Sequence, residues 1–359
     1  DPSFVVAKWR YAGLLYETDA KSAQELFEEL MTVELEGLTE RETFLINRWR
    51  ARRQGRTGDA DKMLDDYVAD HPNDPYGLSV KATEHPAQKI VFCSVYFMGE
   101  TAKLLNPEKE VLVPRVAGCS LADSINGEQV RALREKHPGA GVVCYVNTYA
   151  EVKAESDACC TSANAVEVVE AMPQDEIVFI PDRLMAENLA KITSKVIRTW
   201  DGTCVVHEGF DVNSVRDIRK RFPGVKILAH PECTPGLVSE VDYAGGTSGM
   251  LNFARTSPAK TFMLVTECGL TDRFKAEFRD KEIVGTCILC PYMKEIQLDD
   301  VLTALKDPLP EQYIQIPEDV AVRARLSLDS MFELEKKGKA ILEARGTGKL
   351  PWTARSQSS

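Results

Sequence analysis

The sequence has no apolar run near the roughly 20 residues that a membrane-spanning helix requires, so a membrane partner is not expected. It has no basic block and no aromatic signature of an RNA-binding module. Its 55 acidic residues outnumber 44 basic ones, for a net charge of −11. That balance argues against a polyanion such as nucleic acid and for a protein that handles small molecules. No signal-peptide pattern opens the chain, although it starts at Asp1, where a leader could already have been removed. The ten cysteines are scattered from Cys93 to Cys290 rather than clustered as in small secreted domains, which points to a reducing compartment and a cytoplasmic location. Taken singly, each cysteine reads as a small buried hydrophobe.

What is present is a repeat. Val225 to Arg255 opens as an apolar strand, breaks into His230-Pro231-Glu232-Cys233, and reaches Thr247-Ser248-Gly249 ahead of an apolar-periodic helix. Strands ending in polar chemistry, followed by hydroxyls opening a helix, are how parallel α/β sheets build pockets. The same pattern lies 85 or 86 residues earlier, where Tyr145 and Asn147 end a strand and Thr161-Ser162 stand before a helix. Val130, Val215 and Val301 keep this step, as do Pro138, Pro223 and Pro308, and so do Cys119, Cys204 and Cys290. So many coincident offsets predict three copies of one unit.

The expected fold is therefore α/β, with three pseudo-threefold-related α/β/α domains of parallel sheet around a central site. Residues 1–72 form a helical N-terminal arm, read from capping boxes at Ser22-x-x-Glu25 and Thr39-x-x-Glu42. Residues 73–125 with 291–345 form an incomplete first domain, 126–204 the second and 205–290 the third. Leu298 to Leu305 and Val320 to Ala344 read as helices packing back on the first unit, and the residues from Gly346 on as frayed.

Three cysteines at equivalent positions converge on the pseudo-threefold axis if the units are arranged symmetrically. A disulfide uses two thiols, structural zinc takes four ligands and catalytic zinc favours histidine. A [4Fe–4S] cluster held by three thiolates leaves one iron open as a Lewis acid. Cys287-x-x-Cys290 would alternatively suit zinc or redox work. Tyr145, Asn147, His230 and Glu232 come from strand ends, and Ser162 and Thr247 from helix starts, where hydroxyls and free N–H groups suit carboxylate or phosphate. Glu232 is placed as a general base and His230 as a proton shuttle or phosphate partner. Ser162 and Thr247 as simple N-caps, and His230 as a satisfied strand-end histidine, remain open readings. His207 reads as support behind the site or as surface.

Several motifs, taken together, resemble the quinolinate synthase family. They are Cys119-Ser-Leu-Ala-Asp, Tyr145-Val-Asn147-Thr, Cys160-Thr-Ser162-Ala-Asn, Pro181-Asp182, Gly202-Thr-Cys204-Val-Val-His207, His230-Pro-Glu232-Cys233, Gly246-Thr247-Ser248-Gly-Met and Cys290-Pro-Tyr-Met-Lys. The resemblance runs from about Gly77 to Pro308. It implies Cys119, Cys204 and Cys290 as ligands of a [4Fe–4S] cluster. It implies Tyr145, Asn147, Ser162, His230, Glu232 and Thr247 around the substrates, with Glu232, His230 and Tyr145 catalytic. The implied reaction condenses iminoaspartate with dihydroxyacetone phosphate to quinolinate in de novo NAD biosynthesis, downstream of L-aspartate oxidase or aspartate dehydrogenase. The chain also departs from the family. Pro75 stands in place of a substrate-binding serine, no His-x-Tyr strand precedes it, and Gly246 replaces a common hydroxyl. An impaired iron–sulfur homologue serving as a binding or regulatory protein is the alternative that these departures leave.

Overall fold

The computed structural model describes residues 87–346, together with Met31, Asn47, Arg50, Ala51, Gln54, Arg56 and Trp352. The chain divides into two compact units, residues 1–81 and 82–359. In the first unit Met31, Asn47, Arg50 and Ala51 are helical. The capping boxes, Pro75 and the absent first strand all lie outside the described residues. Among the described residues, no helix is long and apolar enough to cross a membrane.

The second unit alternates strand and helix. It begins with β1 (Lys89–Val91), α1 (Tyr96–Leu105), β2 (Glu110–Leu112) and α2 (Gly127–Lys136). There follow β3 (Gly141–Tyr145), α3 (Ala150–Ala154), β4 (Ala158–Cys160), α4 (Ala165–Ala171), β5 (Glu176–Ile180), α5 (Arg183–Leu189) and β6 (Val196–Thr199). Next come α6 (Val212–Arg221), β7 (Lys226–Ala229), α7 (Pro235–Val238), β8 (Tyr243–Ala244), α8 (Thr247–Thr256), β9 (Thr261–Val265), α9 (Cys268–Glu277) and β10 (Glu282–Ile283). The helices α10 (Pro291–Lys294), α11 (Leu298–Lys306) and α12 (Glu318–Ala344) complete it.

The strand order repeats. One sheet runs β4-β3-β5-β6, another β8-β7-β9-β10, and β1 pairs with β2 as the third and fourth strands do in each full sheet. All these pairings are parallel. Parallel strands are covered on both faces, which explains runs such as Ile177-Val178-Phe179-Ile180 with no polar alternation. Side chains still alternate in direction. Ile227, Ala229, Met263 and Val265 join the core shared with the β3–β6 sheet, whereas Leu228, Phe262 and Leu264 face outward to Met250, Leu251 and Phe274 of α8 and α9.

Local chemistry repeats as well. The turn after α2 uses Gly139 and that after α6 uses Gly224, each at φ 87°, a backbone shape that glycine adopts without strain. Arg134 donates to the Glu155 carbonyl at 2.9 Å and pairs with Asp157 at 2.7 Å; Arg219 does the same with Glu240 and Asp242, both at 2.7 Å. Asp157 and Asp242 in turn accept the N–H groups of Val142 and Ile227 in β3 and β7. In α11 the corresponding position is Leu305, which is exposed. The long α12 lies mainly along α3, α4 and β4, and also meets α1, rather than packing on the incomplete first domain alone. Trp352, in the stretch expected to fray, is buried and donates its indole N–H to the Ser162 carbonyl at 3.3 Å.

Candidate active site

The loops that carry the three cysteines are built alike. The first residue of α1, α5 and α9 donates its backbone N–H to a carbonyl across the fold: Tyr96 to Ala117 at 2.9 Å, Arg183 to Gly202 at 2.8 Å and Cys268 to Ile288 at 3.2 Å. Two residues beyond each acceptor stands Cys119, Cys204 or Cys290. The helix start therefore fixes the loop, and the loop presents its thiol. The Cys119 N–H donates to Asp123 Oδ2 at 3.2 Å and the Cys290 N–H to Glu267 Oε1 at 3.3 Å. All three cysteines are half-buried and pack against one continuous core.

The thiols also act on one another. Burial pushes Cys119 up to about 11; backbone N–H groups draw it back, and the charges of Glu232 and Cys290 add to the rise. Burial, and then the Glu232 charge, push Cys204 far up, with Cys119 contributing. Cys119 is thus within electrostatic reach of both other thiols, and Glu232 lies in the same field.

Glu232 is the hub. It follows β7 and is only 3% exposed. Tyr145, the last residue of β3, donates its hydroxyl to Glu232 Oε1 at 2.7 Å. His207 Nδ1 lies 2.9 Å from Glu232 Oε2 and 3.2 Å from Cys204 Sγ, while its Nε2 meets Thr266 Oγ1 at 3.0 Å. A carboxylate only accepts, so Nδ1 carries the proton and donates it toward Oε2. The His230 ring stacks on His207 at 4.7 Å, with Nδ1 3.3 Å from Glu232 Oε1.

Burial alone would raise the Glu232 carboxyl, but the two histidines and the Tyr145 hydroxyl hold it well below the usual carboxylate range. Burial pushes His230 down to about 4 against the pull of Glu232. Burial and the neighbouring carboxylate push the Tyr145 phenol well above its ordinary value. At neutral pH the site holds an anionic carboxylate, a neutral imidazole at His230 and an intact phenol.

The remaining expected residues line up less uniformly. Asn147 is half-buried just past β3. Ser162 stands three residues ahead of α4, and the N-cap position there belongs to Asn164. Thr247 is the first residue of α8, whose N-cap is Gly246. Neither hydroxyl therefore caps its helix. Instead the two repeats meet here: a Cβ on Gly246 would lie 2.8 Å from Ser162 Oγ, so glycine lets that hydroxyl approach the start of α8 unhindered. The Cys287-x-x-Cys290 reading fails, because Cys287 is disulfide-bonded to Cys268, with Cα atoms 5.0 Å apart. The other eight cysteines are free.

Two buried residues carry more than their sequence suggested. His207, placed behind the site or on the surface, is central, and its three-residue distance from Cys204 was the available signal. Asp182 caps α5 through Oδ1 at 2.9 Å from Met185 N, is fully buried and lies in the field of Glu232 and Tyr145.

Among the described residues, the Cys204 sulfur, a His207 ring nitrogen and a Glu232 oxygen lie within 4.8 Å of one another, a donor set able to hold a metal. Both ring nitrogens of His207 already have partners, whereas Cys119, Cys204 and Cys290 are free thiols in one field. Free thiols are ligands that iron–sulfur groups and zinc both take, so the residues present fit a sulfur-ligated group as well as a single ion.

The chain is also similar to known proteins. The family model described as "Quinolinate synthetase A protein" matches residues 62–333. A quinolinate synthase of Sinorhizobium fredii is 44% identical over 270 residues, which cover 75% of this chain and 75% of that protein. One of Xylella fastidiosa is 45% identical over 268 residues, 74% of this chain and 78% of that protein. One of Geobacter metallireducens is 43% identical over 272 residues, 75% and 89% of the two chains.

Proposed function

The chain belongs to the quinolinate synthetase A protein family, and on that premise we propose that it condenses iminoaspartate with dihydroxyacetone phosphate. The products would be quinolinate, phosphate and water, within cytoplasmic NAD biosynthesis. The observation that carries this reading is the threefold repetition of one thiol-bearing junction, with Cys119 and Cys204 in the field of Glu232. Cys119, Cys204 and Cys290 would hold a [4Fe–4S] cluster. When bound, such a cluster supplies a Lewis-acidic iron corner for a substrate oxygen. Iminoaspartate would be supplied by L-aspartate oxidase or aspartate dehydrogenase. The three α/β domains would comprise residues 73–125 with 291–345, 126–204 and 205–290.

The chain's own groups have distinct work in this scheme. Glu232, ionised while its hydrogen-bond donors hold it, would accept a proton at a carboxylate oxygen and return it once substrate displaces one of those donors. Tyr145 O–H holds Glu232 Oε1 in place and can relay that proton. His230, neutral and stacked, binds a polar substrate group through a ring nitrogen. Asn147, Ser162 and Thr247, together with the N-terminal end of the ten-residue α8, bind carboxylate or phosphate oxygens. The burial of the hub excludes water and strengthens each of these contacts.

A second reading rests on the donor set of Cys204, His207 and Glu232, which would suit one divalent ion of the zinc class. Anaerobic reconstitution followed by metal, sulfide and product analysis on one preparation separates the readings. The expected result is about four iron and four sulfide per chain together with quinolinate formation. Cys204→Ala should lose the iron, while Cys144→Ala and Cys268→Ala keep it. Metal without sulfide would favour the single ion. Iron and sulfide without product would favour an impaired homologue with a binding or regulatory role.

A further inference from the structure

A second sulfur pair lies behind the wall of the site. Cys144 of β3 and Cys159 of β4 are Cα partners in the parallel ladder, and both are fully buried. Their sulfurs are 3.3 Å apart. Cys159 Sγ also lies 3.3 Å from Ser327 Oγ on α12. Beside them is Lys153, fully buried, whose ammonium donates to the Val146 carbonyl at 2.9 Å and to the carbonyl and hydroxyl of Thr148. None of these three acceptors carries a charge.

Burial alone would raise the Cys144 thiol. The Cys159 hydrogen bond, the Lys153 charge and the hydroxyls of Ser156 and Thr148 outweigh it and bring Cys144 down to about 7. Burial, and then the Cys144 sulfur, push Cys159 well above its ordinary value. One member is therefore readily a thiolate and the other a thiol, the asymmetry that thiol–disulfide chemistry uses.

We propose that Cys144 and Cys159 are a peroxide-responsive dithiol that closes to an intramolecular disulfide across the β3–β4 ladder. The Cys144 thiolate attacks one oxygen of hydrogen peroxide; the S–O bond forms, the O–O bond breaks and hydroxide leaves. Cys159 sulfur then attacks the resulting sulfenic sulfur. The S–S bond forms, the S–O bond breaks, and the departing hydroxyl takes the Cys159 proton to leave as water. The two sulfurs lose two electrons, which reduce the peroxide. Directly paired strands bring Cα atoms within the separation that disulfides span. The sulfurs need only draw in from 3.3 Å to about 2 Å. β4 is an edge strand covered by α12, so local opening of α12 would admit a water-sized oxidant. The site is independent of the proposed reaction, but Cys144 immediately precedes Tyr145, which holds Glu232.

The test is mass-spectrometric mapping of the full-length folded protein after hydrogen peroxide, with free thiols alkylated under denaturing conditions. The expected result is a cross-linked peptide pair joining Cys144 to Cys159, two hydrogens lighter than the reduced pair. Cys160 and Cys233, equally buried but with no sulfur partner at hydrogen-bond distance, should react at least about tenfold more slowly. The near-isosteric Cys159→Ser should abolish the cross-link and leave oxygen on Cys144 sulfur. If Cys144 and Cys159 remain fully alkylatable in the wild-type protein while Cys160 is oxidised, the proposal is wrong. Equal rates at all four would overturn it as well. Because the wild-type map decides alone, a variant that fails to fold does not blunt the test.

Discussion

Gly338 offers a sharp test of how α12 is seated. Alanine normally stabilises a helix interior relative to glycine by about 1 kcal/mol. Here a Cβ at position 338 would overlap the Glu167 carbonyl and lie 2.6 Å from the Glu167 Cα, all backbone atoms of α4 that cannot rotate aside. Ordinary contact requires α12 to move outward by about 1.5 Å or more. Overpacking of this kind costs about 1–3 kcal/mol. The movement also loosens Leu328, Met331 and Leu342, all buried on α12. Each ~40 Å² of apolar surface re-exposed adds about 1 kcal/mol at ~25 cal/mol/Å². After subtracting the propensity gain, Gly338→Ala should destabilise by about 1–3 kcal/mol. In thermal unfolding, Tm should fall by about 2 °C or more. The control is Gly236→Ala in α7, where a Cβ meets nothing within 4 Å; it should be neutral or slightly stabilising. A Gly338→Ala protein that melts at or above the parent would refute the backbone-to-backbone seating.

Other outcomes follow from the same coordinates. Burial raises the Glu100 carboxyl from 4.5 to about 7, despite Lys153 and the Ala150 N–H. A raised folded pKa means that this contribution to stability is intact below about 4.5 and lost as pH climbs through 7, for a total of about 3 kcal/mol. Glu100→Gln should therefore unfold like the parent near pH 4.5 and gain up to that amount by pH 8; a pH-independent difference would contradict it. Arg134→Ala and Arg219→Ala remove equivalent clasps and should each cost about 1–2 kcal/mol in denaturant titrations. Leu305→Ala, at the corresponding exposed position, should change little.

Much of the architecture was legible because a duplicated fold repeats its punctuation. Pro138 and Pro223 follow equivalent helices, and apolar runs at 142–145 and 225–229 are the matching central strands. The cysteines kept the same step because each sits at a fixed distance from the carbonyl that secures a helix start. Side-chain partnerships were far less legible. The Tyr145–Glu232 hydrogen bond joins residues 87 positions apart on different sheets, and no local pattern encodes it. Ser162 and Thr247 were expected near helix starts, and they are, but capping depends on one residue of backbone register, which propensity does not resolve. The Cys268–Cys287 bond was hidden for a related reason: spacing among ten cysteines does not specify connectivity. His207 was undervalued because a lone histidine gives no hint of its burial.

The alternation along β7 and β9 has a dynamic consequence. One set of their side chains is tied to the interior common to both large sheets, and the other only to α8 and α9. Those two helices can therefore peel away as a layer without breaking the common interior. Their amides should exchange with solvent ahead of those of β3 and β5. Since α8 begins at Thr247, the same partial opening would also loosen the approach of Ser162 to the start of that helix.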